Sequence, residues 1–248
     1  MNITNFGICL LLSLPILTAS AQEENKDSST SRVEVSSQKG LELKSYSQMQ
    51  KGLKAYAEYN KLAPNSELFF ILIPKSKKLG LEGITMRLAS DETSINIPID
   101  ASGKFQLPDI ALKHEDEYDL ILNKPKGQFY FKPYVKSANL SDDVKRLGDL
   151  RLECQVRWAV EKQDVSIVFS AHVNLFASGN PCTSRAVNVM YFAPSSISKV
   201  ILNSSASTLE KKIDSKGQYS LPIWDTRIID DALINYERSM LATSKQEN

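Results

Sequence analysis

Apolar and polar side chains alternate along much of this chain, and the alternation marks a series of short strands. Ile84, Met86 and Leu88 share one strand face, Ile95, Ile97 and Ile99 another, and Tyr118, Leu120 and Leu122 a third. Phe105 and Leu107 form a shorter set that Pro108 stops. Period two is the signature of a half-buried strand. Residues 68–73 (LFFILI) are continuously apolar, which suits a strand buried on both faces. A different period appears before them. Tyr46, Met49, Leu53, Tyr56 and Ala57 fall on one stripe at helical spacing, and predict a helix over 46–62. Ser47 is its expected cap, with Gln50 as capping-box partner and Pro64 as its end. Gly52, inside that helix, costs about 1 kcal/mol relative to alanine.

Two later segments read less simply. Leu150, Leu152, Cys154, Val156, Trp158 and Val160 alternate strictly, so 150–160 is expected as a strand. Residues 165–176 fit two templates. Val165, Ile167, Phe169, Ala171, Val173 and Leu175 alternate, whereas Val165, Val168, Phe169, His172 and Phe176 form a helical stripe with Asp164 as cap and Gly179 as stop.

The segment Ile99-Asp100-x-x-Gly103-x-Phe105-x-Leu107-Pro108 recurs as Ile213-Asp214-x-x-Gly217-x-Tyr219-x-Leu221-Pro222. Aspartate first and glycine fourth are the residues a type I turn prefers. Around both copies the order is the same: proline, apolar strand, proline, alternating strand, D-x-x-G hairpin, Leu-Pro, and a closing apolar strand. This order predicts an internal duplication, and the duplication favours a helix over 165–176. The hairpin resembles those of prealbumin-like and carboxypeptidase-regulatory-like extracellular modules. That likeness covers one turn and two strands, and it assigns no functional residue.

The expected fold is therefore α+β and mainly antiparallel, with two similar tandem modules, each holding a helix and a D-x-x-G hairpin. The alternative is a pair of all-β sandwich modules. The modules span 41–123 and 161–240, joined by connecting strands over 124–160, with a tail over 241–248.

The amino terminus changes the picture of where the chain works. Residues 7–17 (GICLLLSLPIL) are apolar, and Ala19-Ser20-Ala21 follows them. A short apolar run closed by a small-x-small triplet is a secretory signal, cleaved here after Ala21. The run is too short for a bilayer span, which takes about 20 apolar residues. The first six residues carry no Lys or Arg, a departure from the usual signal. Residues 22–40 are polar and serine-rich and read as a flexible leader. The expected location is periplasmic or extracellular, with no transmembrane segment in the mature chain. Of the three cysteines, Cys9 leaves with the signal, and Cys154 and Cys182 remain to pair as a disulfide. Asn139 and Asn203 head N-x-S sequons, which matter only in a eukaryotic secretory pathway.

With 30 basic and 29 acidic residues, the chain lacks the basic excess of a nucleic-acid binder. Its chemistry is sparse. His114 sits in an acidic turn (KHEDEYD), and its spacing matches no EF-hand. The G-x-S-x-G elbow, H-E-x-x-H and P-loop patterns are all missing. No cofactor or metal site is expected. One stretch offers a binding surface. Read as a strand, 129–136 sends Phe129, Phe131 and Val135 to the core, and Tyr130, Lys132, Tyr134 and Lys136 to the opposite, exposed face. A stripe of Tyr and Lys suits an anionic glycan, a cell-wall polymer or an envelope protein, through stacking and cation attraction. The bland reading of the same stripe is an edge kept soluble by lysines. The function that follows is an exported, non-enzymatic binding or scaffolding protein. The alternative is an envelope hydrolase with an unrecognised site, which a clustered acid–base pair in a deep pocket would favour.

Overall fold

The computed structural model describes residues 40–110, 112, 114–205 and 207–238. The expected signal (1–21), the leader apart from Gly40, and the tail (241–248) lie outside the described residues. The fold is α+β with mostly antiparallel strands. Strand β1 (Leu41–Ser45) leads directly into helix α1 (Tyr46–Tyr59). Then come β2 (Ser66–Pro74), β3 (Met86–Ala89), β4 (Ser94–Ile97), β5 (Lys104–Phe105), β6 (Asp119–Pro125) and β7 (Phe129–Ser137). Strand β8 (Val144–Arg146) leads directly into helix α2 (Leu147–Glu161), followed by helix α3 (Ile167–Phe176). The chain continues through β9 (Tyr191–Phe192), β10 (Ile197–Asn203), β11 (Thr208–Lys212), β12 (Gln218–Tyr219) and β13 (Leu233–Arg238).

One four-stranded sheet has the order β1-β6-β3-β4 and another the order β8-β13-β10-β11. In each, the strand that feeds a helix occupies one edge, beside the last strand of its set. Strand β5 pairs with β2, and β12 pairs with β9. The first half also carries β7, which pairs with β2 from Ser66↔Ser137 to Pro74↔Phe129. The two D-x-x-G turns have the same hydrogen bonds. Asp100 Oδ1 accepts from the amides of Ser102 and Lys104 at 2.8 and 2.9 Å, and Asp214 Oδ1 from those of Lys216 and Gln218 at 2.8 and 2.7 Å. Gly103 and Gly217 close these turns at φ 86° and 77°, in the left-handed region that favours glycine.

Residues 150–160, expected as a strand, form most of α2 instead. The reason lies in the packing. Leu152, Val156 and Val160 make one helical row and enter the core of the first half, with Phe70, Leu88, Leu120 and Val135. Leu147, Leu150 and Cys154 make a second row and enter the core of the second half, with Val200, Tyr219 and Ile234. A helix buried on two faces reads as alternation, because both rows fall on positions of one parity over this span. The segment 124–160 thus holds two strands and a helix rather than connecting strands alone. Each fully buried Leu or Val on α2 contributes about 1.5–3 kcal/mol of transfer free energy.

Gly52 is explained by the same helix. A Cβ there would lie 2.8 Å from Val160 Cγ2 and 3.2 Å from Val156 Cγ1, so the glycine lets α1 and α2 cross closely. Helix α1 starts at Tyr46, the expected first residue, but its cap differs. Ser45, not Ser47, is its cap, and Ser45 Oγ accepts from the Gln48 amide. Over 165–176 the helical template holds, as α3, with Ser166 rather than Asp164 at the cap. Asp164 instead takes Lys44 Nζ at 2.8 Å. Cys154 and Cys182 form a disulfide that ties α2 to the turn after α3, their Cα atoms 5.7 Å apart. Among the described residues, no helix is long and apolar enough to cross a membrane.

Candidate functional site

A cleft of about 850 Å³ opens between the two halves. Strands β2, β5 and β7 supply one wall with Ile71, Ile73, Lys104, Lys132 and Tyr134. Strands β9 and β13 and the second D-x-x-G turn supply the other, with Tyr191, Phe192, Lys216 and Arg238. Glu153 and Arg157 of α2 and Lys145 of β8 complete the lining. Both hairpin turns therefore reach the same space, through Ala101 and Ser102 on one side and Asp214 to Gly217 on the other.

Strand β7 sets the cleft wall through its alternation. Phe129, Pro133 and Val135 are buried and Phe131 is half-buried, on the core side. Of the Tyr/Lys stripe, only Tyr130 is exposed, and Lys132, Tyr134 and Lys136 are half-buried. The face expected to stand open is partly consumed by the protein itself, because the second half folds against it. Lys132 Nζ pairs with Glu161 at 2.5 Å. Lys136 Nζ donates to the carbonyls of Ser141 and Val144. Tyr130 packs on Phe192 at 5.6 Å between ring centroids and has Lys75 Nζ 4.8 Å from its ring. Of the four, Lys132 and Tyr134 line the cleft.

Tyr134 has two ammonium groups near its ring, Lys104 Nζ at 4.7 Å and Lys145 Nζ at 4.0 Å from the centroid. Burial, with help from Glu153, pushes its phenol well above the ordinary range, so it stays a neutral donor. Lys145 is itself buried and paired with the buried Glu153, whose Oε1 also accepts the Val135 amide at 2.8 Å. Burial outweighs the pull of Lys145 and raises the Glu153 carboxyl. Glu161 shows the opposite balance. Burial raises its carboxyl, but Arg157 and Lys132 together overcome this and hold it below the usual value. Lys132 is lowered, first by burial and then by Arg157.

The cleft lining carries seven cationic side chains, namely Lys77, Lys104, Lys132, Lys145, Arg157, Lys216 and Arg238. Against them stand four carboxylates, Asp142, Asp143, Glu153 and Asp214. Glu153, Glu161 and Asp143 pair with Lys145, Lys132, Arg157 and Arg238. Lys77, Lys104 and Lys216 have no carboxylate within ion-pair distance among the described residues, Lys104 lying instead over the Tyr134 ring. Sequence reasoning missed Lys104, Lys145, Glu153, Arg157 and Lys216. They come from β5, β8, α2 and the second D-x-x-G turn, and only Glu153 and Arg157, one helical turn apart on α2, share a spacing. The one available signal was that both D-x-x-G segments carry a lysine.

Among the described residues, no three His, Cys, Asp or Glu side chains converge as metal ligands. His114 is the left-handed residue that opens the acidic turn, at φ 63°. Compared with known protein families, with curated proteins and with solved structures, the chain has no match in any of the three.

Proposed function

We propose that this chain is an exported, non-enzymatic binding protein that holds a strand of anionic glycan in the cleft between two tandem copies of one module. The observation that carries the reading is Tyr134, with Lys104 and Lys145 near its ring, in a cleft where cationic side chains outnumber acidic ones. A tyrosine ring stacks on a sugar face, and unpaired lysines meet carboxylate or sulfate groups. Lys77, Lys104 and Lys216 are the charge contacts in this reading, with Tyr134 as the platform. Lys132 and Lys136, spent on internal partners, position β7 rather than bind. Export is supported by the apolar amino-terminal run ending in Ala19-Ser20-Ala21 and by the disulfide, which persists in oxidising compartments.

The duplication is supported by the identical order of β1-β6-β3-β4 and β8-β13-β10-β11, and by the matching turns at Asp100 and Asp214. In this reading the copies run over 41–125 and 144–238. Helix α2 is the counterpart of α1, and α3 is an insertion. The second copy then starts before residue 161, because its helix is the one that reads as alternation.

One observation favours a second reading, an envelope hydrolase. Glu153 lines the cleft with a carboxyl raised by burial, and its Oε2 has no hydrogen-bond partner among the described residues. Such a group is a possible general acid. Incubating the chain with an oligouronate and following both binding and chain length separates the two. Binding without shortening supports the binder. Shortening that Glu153→Gln abolishes while binding persists establishes the hydrolase instead.

A further inference from the structure

Helix α3 presents an uncovered apolar face of unusual extent. Ile167 is 88% exposed, Val168 80%, Leu175 76% and Phe176 58%, while only Val173 is buried. With Phe169, these side chains leave on the order of 600 Å² of apolar surface on ten residues, the upper end of what a monomer's largest patch usually shows. The helix is held firmly in this pose. Ser166 caps it, and Phe169 packs edge-on to Trp158 at 6.5 Å. Trp158 Nε1 donates to Gly179 O at 3.1 Å, and the Cys154–Cys182 bridge fixes the segment that follows. The exposed apolar side chains therefore belong to a prebuilt surface.

We infer that this face is where the protein pairs with a second copy of itself, α3 against α3 about a twofold axis. Three features select that occupant. First, area: two such faces together cover about 1,200 Å², the lower bound of a specific interface. Second, shape: Ile167, Ala171 and Leu175 form one i, i+4, i+8 ridge, and the small Ala171 at its centre lets two helices cross closely. In a twofold pair this ridge meets its own copy, as an isologous interface requires. Third, charge: no residue from Ile167 to Phe176 is Asp, Glu, Lys or Arg, and the one histidine, His172, packs on Phe176 at 4.9 Å between ring centroids. Two copies meet without repulsion, and the Lys and Arg by which interfacial helices hold anionic lipid are missing.

The test is sedimentation equilibrium of the purified full chain, its disulfide intact, across micromolar concentrations. Three variants accompany it: Leu175→Lys, Ala171→Cys and, as a remote control, Ser204→Cys. The pairing predicts a concentration-dependent dimer and a dissociation constant raised about a hundredfold in Leu175→Lys, the effect of burying an unpaired ammonium. It also predicts a disulfide-linked dimer of Ala171→Cys, but not of Ser204→Cys, under mild oxidation. At concentrations where the parent is monomeric, thermal unfolding of Leu175→Lys should match it, since the side chain is exposed in the single chain. A monomer at every concentration overturns the proposal, as does a dimer indifferent to Leu175→Lys. Flotation of a monomeric chain with phosphatidylcholine–phosphatidylglycerol vesicles, lost in Leu175→Lys, also overturns it and assigns the face to lipid.

Discussion

Replacing Lys145 by Met tests whether the floor of the cleft is as dry as its geometry implies. The Lys145 and Glu153 side chains are 4% and 8% exposed, so each charge depends on the other. Breaking a buried pair from one side leaves an uncompensated charge and costs about 3–5 kcal/mol. That is a fifth or more of a typical domain's stability of about 5–15 kcal/mol. The loss should depend on pH. Burial already raises the Glu153 carboxyl above its ordinary value of 4.5, and losing Lys145 raises it further. The folded state of Lys145→Met then binds more protons than the unfolded state above pH 4.5. Its stability therefore falls as pH rises, by up to about 1.4 kcal/mol per unit, until the raised carboxyl is ionised. Near pH 4.5 the variant should approach the parent. Glu153→Leu should also be destabilised by about 3–5 kcal/mol, while the double variant returns to within about 1 kcal/mol of the parent. Equilibrium urea unfolding at several pH values, with the disulfide kept oxidised, measures the cycle. A coupling below about 1 kcal/mol, the value of an exposed pair, would refute the argument.

Further outcomes follow from the same structure. Cys154 and Cys182 close a loop of 29 residues, counting both ends of a separation of 28, and loop-closure entropy assigns the bond about 3–4 kcal/mol. Titration of the denatured, unreduced chain should find neither thiol free, and Cys154→Ala/Cys182→Ala should lower stability by that amount. Gly103→Val should cost more than Gly217→Val, although both glycines sit at positive φ. A Cβ on Gly103 meets Leu72 O at 3.0 Å, whereas one on Gly217 meets open space. Strain alone predicts about 1 kcal/mol or more for the second, and thermal unfolding of the two variants compares them. Glu161 is held low, so it stabilises the fold above pH 4.5 and that contribution is lost as pH falls through its depressed value. Glu161→Gln should flatten the acid limb of the stability profile.

Strands whose alternation was strong, β3, β4 and β6, were legible in the sequence because their alternate apolar residues, Met86 and Leu88, Ile97, and Leu120 and Leu122, all enter the core. The continuous apolar run of β2 was legible because Phe70 and Leu72 enter the core while Ile71 and Ile73 wall the cleft. Strands β1 and β8 were not, since LELKS and VKR carry little apolar pattern and exist through pairing with β6 and β13. Helix α2 was misread because it lies between two cores, which writes two helical rows onto alternate positions. The inward side of β7 followed from period two, but the fate of its outward side did not. Whether Lys132 and Lys136 meet solvent or Glu161 and backbone carbonyls depends on elements that start at residue 141 or beyond. The unpaired lysines of the cleft were hidden because tertiary structure alone gathers them.

The account turns on whether the cleft takes an anionic strand. Calorimetric titration of an oligouronate into the chain tests this directly, run beside an uncharged glucan of equal length and repeated on Lys104→Ser/Lys216→Ser. Neither lysine has an ion-pair partner to strand, so the double variant should lose only the Lys104–Tyr134 contact, about 0.5–1 kcal/mol. The account predicts binding of the oligouronate alone, weakening as salt screens the lysines over about 10 Å at 0.1 M, and at least tenfold weaker in the double variant. Equal affinity for the glucan, or oligouronate binding unchanged by the loss of both lysines, would contradict it.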